Sequence, residues 1–215
     1  MIEDVTHTDV NPLASPKGTH KPCIRCGERS RFMCKKCRAV FYCSKAHRDE
    51  DLRVLHSDVC DLYAFLKDSI RFVPGQDERD RLEKQRVIKK TEILKTAKSL
   101  AQKSLFQNHP DDAINQLSVA IHFAHELYGN NSVLIIPIHA MCVEALVKRG
   151  RMDQATQQLS KAEWILLNED DCPDLIKADF YKNEGFLNMC KKEYKSALTS
   201  YANETFFSTA AFHPV

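Results

Sequence analysis

From Asp77 to Phe106 the chain reads DERDRLEKQRVIKKTEILKTAKSLAQKSLF, a run of strong helix formers with no glycine or proline. Leu82, Val87, Ile93, Leu94, Ala97, Leu100, Ala101 and Leu105 make an apolar stripe behind a charged first part, the spacing of a helix that buries one face. The pattern recurs to the C-terminus. Helix pairs are expected at 87–107 with 111–127, 133–149 with 152–167, and 174–190 with 193–207. Between them stand Asn108-His109-Pro110-Asp111, Tyr128-Gly129-Asn130-Asn131, Arg149-Gly150-Arg151 and Glu169-Asp170-Asp171-Cys172-Pro173, each with residues that end or start helices. Pro137 falls near the first turn of its helix, where a missing N–H costs least.

The pairs repeat. Ala113, Ala155 and Ala197 follow one another at intervals of 42 residues (155 − 113 and 197 − 155), as do Leu117, Leu159 and Tyr201, and Leu105, Val147 and Met189. Ala120 and Ala162 align with Glu204 as the exception. Small residues let two helices approach, and larger ones four positions on fill the space between pairs. The run Arg149-Gly150-Arg151-Met152-Asp153-Gln154-Ala155-Thr156, with Leu159 and Ala162 beyond it, resembles the second-helix entry of a tetratricopeptide (TPR) repeat. That family repeats every 34 residues or so, counted as about 34. A period of 42 therefore implies longer helices, as in the kinesin-light-chain type of repeat. The resemblance implies an all-α TPR-like helical repeat array (an α-solenoid) whose first helices line a groove for protein partners. In this register the next first helix would begin just past Val215, so the chain is expected to be a shortened version of a longer repeat protein, or to have its last helix covered by another chain.

Before Asp61 the pattern is different: eight metal-binding side chains in the order Cys23-x2-Cys26-x7-Cys34-x2-Cys37-x5-Cys43-x3-His47-x8-His56-x3-Cys60. Eight donors fill two tetrahedral zinc sites, and a zinc that takes all its ligands from protein has no open position for water or substrate. Both sites therefore read as structural. The cysteines are interleaved with Lys and Arg rather than with core apolar residues. Met1 to His20 carries Glu3, Asp4, Asp9, Pro12 and Pro16 and no apolar run, so no signal peptide is expected. A reducing compartment, and zinc in place of disulfides, follow as expectations.

With Phe41-Tyr42-Cys43-Ser44 in its middle, the run Cys23 to Cys60 resembles a MYND-type zinc finger. The resemblance implies crossed sites, with one zinc on Cys23, Cys26, Cys43 and His47 and the second on Cys34, Cys37, His56 and Cys60. Interleaving ties together a module whose apolar core is too small to hold it alone. The chain departs from the family in three places. His47 stands where a Cys is usual, and imidazole donates to zinc equally well. The Gln and Trp that line the family's groove for proline-rich peptides are here Arg48 and Leu52, which become candidate peptide contacts of altered chemistry. The stretch from His47 to His56 is one residue longer than usual, which shifts a short helix.

Composition adds exclusions. The 215 residues are 43% apolar and 28% charged with a formal charge of +2, and no stretch is long enough to span a membrane, so a cytoplasmic protein is expected. Six zinc-bound thiolates and two zinc ions bring that +2 to zero, so global charge does not select a partner. Lys21 to Arg48 is basic, with Glu28 the only acid among nine cations, but it lacks a recognition helix of C2H2 spacing, which disfavours nucleic acid. A SET-type methyltransferase, the enzyme class that carries MYND fingers, needs strands, a Gly-rich loop and an Asn-His-x-Cys segment. Asn108-His109 runs into Pro110-Asp111 and only six glycines exist, so no enzyme is expected. His122-x2-His125-Glu126 is not the order of a zinc protease. Cys142, Cys172 and Cys190 read as buried thiols, and Trp164 as a packing residue between repeats.

The expected organisation is a disordered segment 1–20, a MYND finger 21–62, a helical linker 63–86, TPR-like repeats 87–209 in about three helix pairs, and an irregular tail 210–215. A MYND finger joined to TPR-like helices without a SET domain resembles non-enzymatic scaffolds of cilia and sperm flagella, which implies a protein–protein adaptor in an axonemal assembly. The alternative is a transcriptional corepressor module that binds proline-rich peptides through the finger.

Overall fold

The computed structural model describes residues 21–69, 73–169 and 171–212. The segment 1–20 and residues 213–215, expected to be disordered and irregular, lie outside them. The chain begins with two short strands, β1 (Phe32–Met33) and β2 (Phe41–Tyr42), paired antiparallel with Phe32 opposite Tyr42. A helical run follows: α1 (Lys45–Asp51), a π turn (Leu52–His56) and α2 (Ser57–Asp68). Ser44 starts it by accepting the His47 N–H on its hydroxyl at 3.2 Å. The π turn is the form that one extra residue takes inside a helix. The added length expected between His47 and His56 falls on this turn. Its wider winding lets three consecutive residues, Val54, Leu55 and His56, all become buried.

Six longer helices complete the chain: α3 (Gln76–Phe106), α4 (Pro110–Tyr128), α5 (Ile136–Lys148) behind a 3-10 turn at Val133–Ile135, α6 (Met152–Leu167), α7 (Asp174–Cys190) and α8 (Tyr194–Phe212). Helix α3 begins at Gln76, inside the stretch 63–86 expected as linker. Its charged first part is held by helix propensity and by the i,i+3 pairs Glu78–Arg81, Glu83–Arg86 and Lys89–Glu92. Helix α8 runs on to Phe212, so residues 210–212 are helical and not the irregular tail expected there. From Tyr194 to Phe212 the sequence has no glycine or proline to stop it. Among the described residues no helix is long and apolar enough to cross a membrane.

Helices pack as hairpins, α3 with α4, α5 with α6 and α7 with α8, and successive hairpins meet through α5 on α4 and α7 on α5 and α6. The 42-residue period is carried into the backbone. First helices end at Phe106, Lys148 and Cys190, and second helices begin at Pro110, Met152 and Tyr194. The turn between them has one form three times. Asn108, Gly150 and Lys192 have φ of 59°, 77° and 65°. Their N–H groups donate to Leu105, Val147 and Met189 at 3.2, 2.9 and 3.0 Å, and the next N–H groups, of His109, Arg151 and Glu193, reach Ser104, Leu146 and Asn188 at 2.8, 2.9 and 2.9 Å. This is the Schellman closure, which satisfies the last carbonyls of a helix. Ala113, Ala155 and Ala197 are fully buried where each second helix crosses its first.

The third hairpin solves the same packing problem with different residues. Ala101 and Val143 in the first helices have Gly185 as their 42-residue counterpart, while Leu117 and Leu159 have Tyr201. A Cβ on Gly185 would stand 2.8 Å from the Tyr201 ring, so the larger residue on α8 requires the smallest on α7. Gly185→Val is expected to destabilise the protein by about 1–3 kcal/mol, the range for an overpacked core. Adding Tyr201→Leu, which restores the pairing of the second hairpin, should recover most of that loss. Chemical denaturation of the single and double variants checks it, and additive losses would refute the pairing.

Two expectations fail in this region. Trp164 is 53% exposed on α6 and does not fill the space between repeats. Cys190 is exposed at the end of α7, whereas Cys142 and Cys172 are buried as expected. Burial pushes the Cys142 thiol up to about 12.

Candidate metal centre

Each Cys-x2-Cys pair sits on a turn closed by a backbone bond, Gly27 N–H to Cys23 C=O at 2.9 Å and Arg38 N–H to Cys34 C=O at 3.0 Å. The residue after each pair, Gly27 or Arg38, has positive φ (75° and 54°). The fold then brings the two pairs to different later residues. Cys23 and Cys26 converge with Cys43 and His47, and Cys34 and Cys37 converge with His56 and Cys60, the donor atoms of each set lying within 4.8 Å of one another. Both sets are Cys3His, and the crossing is the one the resemblance implies.

The spacing within each set fits zinc. Tetrahedral zinc with sulfur at about 2.3 Å and nitrogen at about 2.0–2.1 Å places neighbouring donors about 3.5–3.8 Å apart. In the first set the Cys26 and Cys43 sulfurs are 3.5 Å apart, and His47 Nδ1 lies 3.7 Å from Cys23 and 3.2 Å from Cys43. In the second, the Cys34 and Cys60 sulfurs are 3.8 Å apart and His56 Nε2 lies 3.6 Å from Cys37. The thiols also show why a cation belongs there. At Cys23 burial opposes ionisation, but backbone N–H groups of Arg25 and Cys43 and the His47 ring outweigh it and bring the thiol down to about 6. Burial and the neighbouring thiols Cys43 and Cys23 then push Cys26 up to about 11. In the second set Cys34 is lowered, while burial and Cys34 push Cys60 up to about 12. Three thiolates cannot share so small a volume without a divalent ion, and zinc supplies that charge.

The sites are not equivalent. All four ligands of the second are buried, whereas in the first Cys23 is buried, Cys43 and His47 are half-buried and Cys26 is exposed. Around the second site stands a polar group that the spacing of ligands does not reveal. His56 Nδ1, with no hydrogen-bond partner, faces Asp51 Oδ2 at 3.8 Å, and the Tyr42 hydroxyl donates to the same oxygen at 2.7 Å. Burial raises the Asp51 carboxyl, partly offset by Tyr42, His56 and Arg25. A carboxylate behind a ligating imidazole favours the tautomer that turns its N–H toward it; here Asp51 stands at ion-pair distance and not at hydrogen-bond distance. Asp51 and His56 are five residues apart, and the π turn, whose bonds span five residues, brings them to one side.

Of the candidate peptide contacts, Arg48 and Leu52 line a small pocket of about 250 Å³ with Met33, Cys34, Lys35 and Lys36. Arg48 is already engaged, donating from Nε and Nη2 to Asp49 at 2.8 and 2.7 Å. With two closed Cys3His sites in crossed order on a β-hairpin and a helix, residues 23–60 match the family model of the MYND finger, and this segment of the chain is a MYND finger built on two zinc ions.

Proposed function

We propose that the chain is a non-enzymatic adaptor: a zinc-stabilised finger fused to a TPR-like array whose first helices hold a protein partner. MYND fingers serve protein–protein interaction, and two saturated zinc sites offer no reacting position. The observation that carries the reading is the groove along the first helices. Lys98, Gln102 and Phe106 of α3, Met141 and Glu144 of α5 and Lys182 of α7 line one cleft of about 470 Å³. Phe106 at its rim is 93% exposed, an aromatic of the kind that anchors partners. The resemblance of this domain combination to MYND and TPR scaffolds is what supports a cytoplasmic setting for the adaptor, at a cilium or flagellar axoneme.

A second reading, a corepressor module, rests on the pocket of Arg48 and Leu52. Affinity capture with quantitative mass spectrometry separates the two. Phe106→Glu with Lys182→Glu is expected to lower partner recovery by roughly tenfold or more, as loss of a hot spot of about 2 kcal/mol does. Arg48→Glu with Leu52→Glu should leave it unchanged. The reverse outcome would transfer the docking site to the finger. Axonemal proteins in the captured set bear on the ciliary assignment.

A further inference from the structure

We infer that the second zinc site is the N-terminal cap of the helical array: the metal on Cys34, Cys37, His56 and Cys60 fixes the surface against which α3 and α4 fold, while the first site serves the finger alone. A stack of hairpins leaves an apolar side uncovered at its first member unless something closes it. Here the closing surface comes from the finger. Val54, Leu55 and Val59 are buried in one apolar cluster with Ile93, Leu94 and Ala97 of α3 and Leu117 and Ala120 of α4, and Leu62, Tyr63 and Leu66 of α2 pack against it.

These residues alternate with the ligands. Leu55 precedes His56 and Val59 precedes Cys60, so one helical run presents zinc donors to one side and core residues to the other. Polar contacts fix the same seam. The buried Gln116 side chain donates to the Val54 carbonyl within the π turn at 2.9 Å. Arg53 holds Asp112, at the start of α4, with two bonds of 2.9 and 2.7 Å. The His56 ring itself reaches into the array through Tyr63, stacked on it at 5.7 Å between centroids, and Tyr63 in turn meets Phe123 of α4 at 5.8 Å.

The first site faces the array without sharing its core. None of Cys23, Cys26, Cys43 and His47, nor any residue next to them in sequence, belongs to that cluster, and Cys23 and Ile24 are set off from Ser118, Val119 and His122 of α4 by an open cleft of about 520 Å³. A finger whose two zinc ions were equivalent would join the array's buried core through both; this one joins it beside His56 and Cys60, at the buried site.

Amide hydrogen exchange of the full chain, read helix by helix alongside zinc content, tests the assignment. In Cys60→Ser the α3 and α4 amides are expected to exchange at least tenfold faster, with one zinc lost. In Cys26→Ser one zinc is lost and those amides are unchanged. Equal effects of the two variants, or protection of α3 and α4 in both, would overturn it. Should Cys60→Ser fail to fold, the Cys26→Ser chain is titrated with a chelator. Protection of α3 and α4 falling as the single remaining zinc leaves supports the cap, and protection that outlasts the metal refutes it.

Discussion

Cys37→Ser is expected to carry one zinc per chain where the wild type carries two, and to lose the folded finger around the second site. The sulfur is buried, 4% exposed, and directly opposes His56. Serine offers a poor zinc donor and leaves Cys34 and Cys60 close together with no countercharge. Structural zinc contributes about 10–16 kcal/mol to the folding of small fingers. A domain's whole stability is about 5–15 kcal/mol, so even a fraction of the metal's contribution decides whether the module folds. Zinc released on denaturation, counted with a chromogenic chelator, and the thermal midpoint of the intact chain read the effect together. Two zinc ions at an unchanged midpoint would show that Cys37 is not a ligand.

The ligands were legible in the chain because zinc imposes short-range spacing, and two Cys-x2-Cys pairs followed by Cys43-x3-His47 and His56-x3-Cys60 leave little freedom. The crossing of the sites came from the family resemblance, since spacing alone allows other pairings. The hairpin period was legible for a similar reason: Ala113, Ala155 and Ala197 mark the same close crossing three times, and the turns at Asn108, Gly150 and Lys192 repeat one backbone form.

What the sequence hid depends on partners far away along the chain. Val54, Leu55 and Val59 look like the inner face of any short helix, and only the fold shows that they belong to the core of α3 and α4. Asp51 is one acid among several in Arg48-Asp49-Glu50-Asp51 until the π turn sets it behind His56. Trp164 carried an apolar side chain at a position where the seam between hairpins was expected, but the residues that close that seam are others, and the ring faces solvent. Because the finger and the first hairpin share a core beside His56 and Cys60, collapsing the second zinc site is not a neutral way to ask which module binds a partner. Surface substitutions such as Phe106→Glu leave that shared core alone.

Between pH 6.5 and pH 4 the protein is expected to lose about 3 kcal/mol of stability through His139 alone. The imidazole is 2% exposed on α5, its Nδ1–H donating to the Gln158 side-chain oxygen at 2.8 Å, with the His125 ring 6.4 Å away between centroids. Burial is the main force that lowers its pKa, with His125 and Lys161 adding to it and Gln158 opposing, and the result is about 4. An unfolded histidine titrates near 6.5, taken as about 6.5. Protons therefore bind the unfolded chain more tightly: the folded state has its full advantage above that value, loses it as pH falls, and loses no more through this group below about 4. A depression of this size, at about 1.4 kcal/mol per pH unit, gives the figure of about 3 kcal/mol. Acid also strips zinc by protonating its thiolates, so the wild type alone does not isolate the effect. The comparison is with His139→Gln, which has no proton to gain. Denaturant midpoints at matched pH should show the variant gaining on the wild type by about 3 kcal/mol as pH falls through that window, while parallel pH profiles for the two would mean that His139 keeps an ordinary pKa in the fold.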